Sequence, residues 1–425
     1  MRMSEPEGLI RIPEEDIENI RKEVVERFLR YVKVDTQSAE DSSTYPSTKK
    51  QCELAELLRK ELTELGLEDV EVDEHCYVTA TLPGNRDAPI IGFISHMDTS
   101  PESPGAGVKP IIHRNYQGEK IVLPGDESQV LDPEVDVELK KWIGTDIITS
   151  DGTTLLGADD KAGIAEIMTA LSYLKRHPEV PHGTIRVAFT PDEEVGAGTK
   201  YFDIKNFGSD VAYTVDGGEA GTLDVETFNA AVAHFTFHGV EVHPGYAKGK
   251  MINSIRMAAD AIKMLPAYEA PETTEGHEGY LHPYVIEGGV DKTTLRVLLR
   301  DFTAEGLKRR KGIIKDIARK VEALYPGGRV EVEVKDQYRN MKEHLQRRWE
   351  VVEKAEEAIK LAGLKPVRSI VRGGTDGAML SEKGLPTPNI FTGGHNFHSR
   401  REWISTQAMV YAVKTLIYLS QLYAL

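Results

Sequence analysis

Three short stretches of continuous apolar residues indicate strands that are buried on both faces. They cover residues 89–95, 184–190 and 211–215. Helical periodicity appears between and after them, at residues 162–176, 353–362 and 405–423. Buried strands that alternate with helices are typical of a sheet that is covered by helices. We therefore predict an α/β domain built from the first half of the chain and from its C-terminal part.

The middle of the chain follows a different pattern. The predicted elements are a strand at 229–240, a helix at 254–265, strands at 284–290 and 293–301, a helix at 303–324 and a strand at 329–335. The order β-α-β-β-α-β is that of a ferredoxin-like domain. We predict such a domain over residues 228–340, inserted between residues 1–227 and 341–425 of the larger domain. Residues 1–20 form an acidic N-terminal extension.

Composition and charge narrow the function classes. The 425 residues include 52 Lys and Arg and 68 Asp and Glu, a net charge of −16, which argues against nucleic acid or an anionic membrane as partner. Two cysteines, Cys52 and Cys76, exclude a disulfide framework and a zinc site built from cysteines. The first twenty residues lack the apolar segment of a signal peptide, and no stretch approaches the length of a membrane span, so we expect a cytoplasmic protein.

Metal-binding types of side chain follow the ends of the predicted buried strands. His96 and Asp98 follow the first strand, Glu193 and Glu194 follow the second, and Asp216 follows the third. Ligands bind at this edge of an open α/β sheet. Adjacent carboxylates at a buried strand end repel each other and lose hydration, and a divalent cation is the usual compensation.

Two further clusters complete the set. Asp159 and Asp160 open a predicted helix, and His395 and His398 lie in a glycine-containing segment near the C-terminus. Each cluster is a weak signal alone. An aspartate before a helix is often only a cap, and a histidine near glycines is often only a surface loop residue. Together, two histidines and several carboxylates form the inventory of a two-metal hydrolytic site. Nitrogen and oxygen donors without sulfur suit Zn²⁺, with Co²⁺ or Mn²⁺ as substitutes.

The motifs and their order resemble a known family. The segments are HMDT at 96–99, LLGADDKAGIAEIM at 155–168, TPDEEVGAG at 190–198, YTVDGG at 213–218, VEVHPGYAKGKMINS at 240–254 and RGGTDGAMLSEKGLPTPNIFTGGHNFHSRREW at 372–403. From about Asp35 to the C-terminus, the chain is similar to the di-zinc aminoacylase/carboxypeptidase-G metallopeptidases, and within them to the peptidase T subfamily of tripeptide aminopeptidases.

The resemblance implies a fold and a set of metal ligands. The fold would be a mixed-sheet catalytic domain like that of di-zinc aminopeptidases, with the inserted βαββαβ domain as a lid. His96 and Asp216 would bind one zinc ion. Glu194 and His398 would bind the other, and Asp159 would bridge the two. The peptide bond that follows the bridging aspartate would be cis.

The resemblance also implies catalytic and substrate-binding groups. Glu193 would be the general base that takes a proton from a zinc-activated water, and Asp98 would support His96. His243, on the lid, would donate a hydrogen bond to the developing oxyanion. The candidates for substrate contact are Arg372, for the substrate carboxylate, and the weaker Asn253 and Arg300.

The leading hypothesis is therefore hydrolysis of the N-terminal peptide bond of tripeptides. The family resemblance is also compatible with a homodimer. A related di-zinc dipeptidase, carboxypeptidase or N-acyl amino acid deacylase would keep the metals but not the recognition of both peptide ends. A catalytically dead member, retained as a binding protein, would have no chemical reason to keep every ligand and the base.

Overall fold

The computed structural model describes residues 6–425, and the chain divides into two compact units. One unit comprises the described residues up to Val225, together with His344–Ser369 and Thr375–Leu425. The other comprises Glu226–Glu343 and Ile370–Gly374. The second unit therefore includes Ile370–Gly374, a segment of the 341–425 region that was expected to belong to the larger domain.

Polar caps mark the starts of several helices. Thr303 accepts a hydrogen bond from the backbone N–H of Gly306, and Ser405 does the same for Gln407, as expected of N-cap residues. None of the helices within residues 6–425 is both long and apolar enough to cross a membrane. The helices are α1 (Glu14–Tyr31), α2 (Gln51–Glu64), α3 (Ala158–Arg176), α4 (Ile204–Phe207), α5 (Ser254–Met264), α6 (Ala304–Leu324), α7 (Met341–Leu345), α8 (Glu350–Ala362), α9 (Asp376–Glu382) and α10 (Thr406–Ala424).

The strands range from two to ten residues in length. They are β1 (Glu68–Val72), β2 (Val78–Leu82), β3 (Ile91–His96), β4 (Ile111–His113), β5 (Ile121–Val122), β6 (Val130–Leu131), β7 (Ile147–Thr149), β8 (Ile185–Thr190), β9 (Val211–Gly217), β10 (Thr222–Thr227), β11 (Asn229–His238), β12 (Tyr280–Gly288), β13 (Lys292–Asp301), β14 (Arg329–Tyr338), β15 (Val367–Val371), β16 (Asn389–Phe391), β17 (Gly394–His395) and β18 (Trp403–Ser405).

A mixed eight-stranded sheet forms the centre of the first unit. Its order is β1-β2-β8-β3-β9-β16-β10-β15. The central strand β3 pairs in parallel with β8 and with β9, whereas β1 pairs antiparallel with β2, β2 with β8, and β10 with β16. The predicted α/β class with a mixed sheet is confirmed.

Helices cover both faces of β3, which explains its continuous apolar run. On one face, Ile94 packs in a cluster with Leu380 of α9. On the other face, α3 approaches the sheet closely at Gly163, where a Cβ would lie 1.9 Å from the carbonyl oxygen of Val215. Only glycine permits this approach. The close contact fixes the start of α3 beside the C-terminal ends of β3 and β9.

The second unit is an antiparallel sheet packed against two helices. Its strand order is β12-β13-β11-β14, and its elements follow one another along the chain as β11-α5-β12-β13-α6-β14. Phe235 and Val297 from the sheet share a buried cluster with Met257 of α5 and Ile314 of α6. The alternating pattern of the strands therefore reflects one face that is buried under the helices.

Part of the acidic N-terminal extension is held in place. The backbone N–H of Ile10 donates to Oε1 of Gln421, and Nε2 of Gln421 donates back to the Ile10 carbonyl at 3.0 Å. The N–H of Ile12 donates to the hydroxyl of Tyr418. These bonds attach the described part of the extension to α10.

Cys52 and Cys76 form a disulfide. Cys52 lies at the start of α2, and Cys76 precedes β2. The bridge closes a loop with a sequence separation of 24 residues. It is a single cross-link within an extensive core, so its effect is to restrict the unfolded chain.

Replacing Cys52 by Ser should therefore lower the free energy of unfolding by about 3 kcal/mol, the value expected for a closed loop of this order. Guanidinium unfolding followed by circular dichroism measures the change. Wild-type protein treated with a reductant is the matched control and should unfold like the variant. Two thiols that react in denatured, non-reduced wild-type protein would contradict the cross-link.

Candidate metal centre

The C-terminal ends of three neighbouring parallel strands meet at one edge of the large sheet. His96 is the last residue of β3 and lies in register with Thr190, the last residue of β8. Glu193 and Glu194 follow β8 directly, and Asp216 lies near the end of β9. The strand ends therefore bring these four side chains to the same place, as the edge of an open sheet does for its ligand-binding residues.

His96 is the most enclosed member of the cluster, with 2% of its surface exposed. Its Nδ1 lies 3.0 Å from the backbone carbonyl of Asp98 and 3.3 Å from Oδ1 of the same residue. Its Nε2 lies 2.9 Å from Oδ1 of Asp159 and 3.4 Å from Oδ1 of Asp216. Asp98 therefore orients one side of the ring, and the other side faces two carboxylates.

Asp159 contacts both histidines of the cluster. Its Oδ1 faces His96, and its Oδ2 lies 3.1 Å from Nε2 of His398. The same Nε2 lies 2.9 Å from Oε2 of Glu194. The peptide bond between Asp159 and Asp160 is cis, as the family resemblance implied. One carboxylate thus spans two histidines that are about three hundred residues apart in the chain.

Two overlapping groups of side chains have the composition and spacing to hold a metal ion. One group is His96, Asp159 and Glu194, and the other is His96, Glu193 and Asp216. In each group one donor atom per residue lies within 4.8 Å of the others. Glu193, which the resemblance implied to be the base, therefore has a carboxylate oxygen within 4.8 Å of a ring nitrogen of His96.

Asp98 has a second role that the sequence did not indicate. Its carboxylate is fully buried and accepts hydrogen bonds from the backbone N–H groups of Glu193, at 2.9 Å, and Glu194, at 3.2 Å. Through these bonds Asp98 fixes the segment that carries both glutamates, in addition to orienting His96.

The electrostatics of the cluster are those of carboxylates with too little compensating charge. Burial raises the pKa of Glu193 well above its usual value and that of Glu194 to about 8. Burial also raises the pKa of Asp216 to about 7. Although burial opposes its charge, hydrogen bonds with Asp159 and Glu194 raise the pKa of His398 to about 11. Without further positive charge nearby, several of these groups would carry protons at neutral pH.

The residues fit a pair of divalent ions. Zinc bonds of about 2.0–2.2 Å to nitrogen and oxygen place two ligands of one ion about 3.3 Å apart. The distances from Nε2 of His96 to Asp159 and to Asp216, 2.9 and 3.4 Å, are close to this value. Oε1 of Glu194 is buried and has no hydrogen-bond partner among the described residues. A cation would satisfy this atom and would offset the repulsion between the carboxylates.

Two of the predicted residues lie in the second unit near the loop between β11 and α5. His243 is exposed, and its Nδ1 accepts a hydrogen bond from the backbone N–H of Gly245 at 3.1 Å. The proton of a neutral ring then lies on Nε2. Asn253 caps α5, since its Oδ1 accepts from the N–H of Ile255 at 2.9 Å. A substrate contact by Asn253 would therefore use its amide nitrogen.

The two predicted arginines in this unit are both engaged. Nη1 of Arg300, which is 8% exposed, donates to the carbonyls of Ala231 and Leu299. Arg372 donates from Nη1 to the carbonyls of Gly276 and Glu278 and from Nη2 to the hydroxyl of Thr274. Its guanidinium therefore holds the 274–278 segment, and a substrate carboxylate would have to meet Nε or replace these acceptors.

Sequence reasoning missed several residues that support the cluster. Oε2 of Glu102 lies 3.4 Å from Nδ1 of His398, and the carboxylate of Glu402 accepts a hydrogen bond from the backbone N–H of Asp159.

A third acid, Asp192, accepts hydrogen bonds from the N–H of Ser47 and, at 2.7 Å, from Nε2 of Gln51 in α2. All three acids lie within or beside the segments that carry the family resemblance. Their chemical type alone does not distinguish them from surface carboxylates.

Known proteins match this chain over most of its length. Residues 149–421 match the profile of Peptidase family M20/M25/M40. Peptidase T from Clostridium acetobutylicum is 52% identical over 405 residues, which cover 95% of this chain and 99% of that protein. Peptidase T from Desulfitobacterium hafniense (strain Y51) is 53% identical over 403 residues, which cover 94% and 98% of the two chains.

Solved structures show the same fold. The aminopeptidase PepT from Bacillus cereus has a TM-score of 0.74 at 26% identity and covers 95% of this chain and 99% of that chain. The Bacillus subtilis protein YXEP, a dinuclear metal binding peptidase from the M20 family, has a TM-score of 0.65 at 16% identity over 96% and 99% of the chains. The resemblance of the sequence motifs is thereby confirmed, and the chain belongs to peptidase family M20/M25/M40.

Proposed function

We propose that the protein is a zinc-dependent aminopeptidase that hydrolyses the N-terminal peptide bond of tripeptides. The observation that carries the proposal is the position of Asp159, whose two carboxylate oxygens each face a histidine of the cluster. This arrangement suits a carboxylate that bridges two ions. The choice of substrate is supported by the relatives named Peptidase T, which share about half of their residues with this chain.

The proposed ligands divide into two sets that share Asp159. His96 and Asp216 would hold one ion, and Glu194 and His398 would hold the other. The short distances between His96 and Asp216 and between Glu194 and His398 support this division. When bound, two zinc ions supply an acidified water molecule and Lewis-acid polarisation of the peptide carbonyl.

Glu193 is the proposed general base. Its backbone N–H is held by Asp98, so its position relative to His96 is fixed by a buried carboxylate. The raised pKa of Glu193 reflects burial and the nearby acids, and positive charge in the cluster would allow it to ionise. It would then take a proton from the attacking water and pass that proton to the leaving amine.

His243 is the proposed donor to the developing oxyanion, and Arg372 the proposed contact for the substrate carboxylate. The bond that Nδ1 of His243 accepts leaves its Nε2–H as a donor, which is the group that such a role requires. Arg372 is stacked over the rings of Phe228 and Tyr280, with its guanidinium carbon 5.2 and 5.7 Å from their centres, so its orientation is restricted before any substrate binds.

The substrate class is tested by comparing hydrolysis of Leu-Gly-Gly, Leu-Gly and N-acetyl-leucine. We expect cleavage of the tripeptide with release of leucine, loss of activity after chelation, and its return with zinc. Preference for Leu-Gly would identify a dipeptidase, and preference for N-acetyl-leucine a deacylase. Either preference would overturn the tripeptide proposal while leaving the metal site intact.

Replacing Glu193 by Gln should reduce kcat by 10²- to 10⁴-fold, roughly the contribution of a general base, while both ions stay bound. The matched control is Glu127→Gln, an exposed glutamate of the same unit, which should leave kcat unchanged. Rates are measured with Leu-Gly-Gly, and metal content by mass spectrometry of the same samples. Wild-type kcat in Glu193→Gln would show that another group is the base.

Metal binding should release at least two protons per chain at pH 7, because cations displace the protons that the ligands carry in the free protein. The pKa values of Glu194, about 8, and His398, about 11, lie above pH 7, and that of Asp216 is about 7. Zinc affinity should therefore fall as the pH falls through this range. Calorimetric titrations in two buffers of different ionisation enthalpy measure the release, which should be smaller in Glu194→Gln. Heats that do not depend on the buffer would contradict the prediction.

A further inference from the structure

Glu402 is a buried carboxylate that the proposed reaction does not use. It is 1% exposed. Its Oε2 accepts hydrogen bonds from the backbone N–H groups of Leu156 and Gly157, both at 2.8 Å, and its Oε1 accepts from the N–H of Asp159 at 2.9 Å. Burial of a carboxylate is costly unless such bonds replace its hydration. The three donors therefore define a specific site for this one side chain.

The backbone around Asp159 explains why these donors are available. Asp159 and Asp160 have non-helical backbone angles within the first turn of α3, and Gly157 precedes the helix with φ +88°. The first N–H groups of a helix have no partner within the helix. The non-helical angles at Asp159 and Asp160 also make the start of α3 irregular. An anion beside a helix N-terminus satisfies such groups, and the carboxylate of Glu402 occupies that position.

Glu402 also connects two parts of the cluster. It lies four residues after His398 in the same segment, and its own N–H donates to the carbonyl of Ser399 at 3.3 Å. The segment thus supplies His398 and holds the backbone of Asp159, whose Oδ2 lies 3.1 Å from Nε2 of His398. Displacement of the Glu402 carboxylate would change the distance between these two donor atoms.

We propose that Glu402 is a positioning residue for the bridging carboxylate of Asp159: it fixes the backbone at 156–159 so that both oxygens of Asp159 face their histidines. The inference rests on the proposed two-metal site. It goes beyond that proposal by assigning the geometry of the bridge to a residue that binds neither ion nor substrate. The consequence is that metal affinity, and not only folding, depends on Glu402.

The test is the zinc affinity of two variants, Glu402→Gln and Glu402→Asp, measured by competition with a chromophoric chelator. In Glu402→Gln an amide NH₂ faces backbone N–H groups, so at least one hydrogen bond is lost. We expect affinity to fall by about 10- to 100-fold, as it does when groups that orient metal ligands are removed. Glu402→Asp keeps both oxygens on a shorter side chain, so its zinc affinity should fall less. The absorption spectrum of the Co²⁺-loaded protein should change in Glu402→Gln, because it reports the ligand geometry.

The matched control is Glu269→Gln, which removes a buried carboxylate that pairs with Arg309 and Arg310 in the second unit. It should lower stability without changing zinc affinity or the Co²⁺ spectrum. Wild-type zinc affinity and an unchanged spectrum in Glu402→Gln would overturn the proposal. So would failure of both Glu402 variants to fold in saturating zinc, which would assign the residue to the fold alone. Failure of wild-type protein to bind two ions would instead refute the proposed function.

Discussion

Repulsion between buried carboxylates is the constraint on which the rest of the site depends. Asp159, Glu193, Glu194 and Asp216 gather around His96 with little exposed surface. Burial raises the pKa of Glu194 and of Asp216 to about 8 and about 7, so the charged form of the cluster is unfavourable by itself. Two histidines do not supply enough positive charge to offset four acids. Divalent cations would, and the raised pKa values have the same physical cause, which is the burial of neighbouring acids.

The fold maintains this unfavourable arrangement through backbone hydrogen bonds to further buried acids. Asp98 accepts from the N–H groups of Glu193 and Glu194, and Glu402 accepts from that of Asp159. These acids are satisfied by fixed N–H groups, so they add rigidity without competing for a cation. The parallel strands β3, β8 and β9 support the cluster, because their C-terminal ends lie side by side in the centre of the sheet.

The strand-end part of the site was predictable from the apolar runs, and Asp159 and His398 from the family motifs, whereas the contacts that support them from distant segments were not. The apolar runs at 89–95, 184–190 and 211–215 correspond to β3, β8 and β9, and buried strands of this kind place the residues that follow them at one edge. The role of Glu402 has no local signal, since it appears only when its carboxylate meets a backbone 243 residues away. The small sheet of β17, β18, β7 and β4 was missed because its strands are too short to show a period. The acceptors that engage Arg372 are backbone carbonyls, which a sequence motif does not reveal.

The central proposal is that the carboxylates of this cluster hold two metal ions with Asp159 between them. An anomalous difference map from crystals of the full chain grown with zinc, recorded on both sides of the zinc absorption edge, tests it most directly. We expect two peaks, one beside His96 and Asp216 and the other beside Glu194 and His398, both within bonding distance of Asp159. A single peak, or two peaks of which one does not touch Asp159, would contradict it.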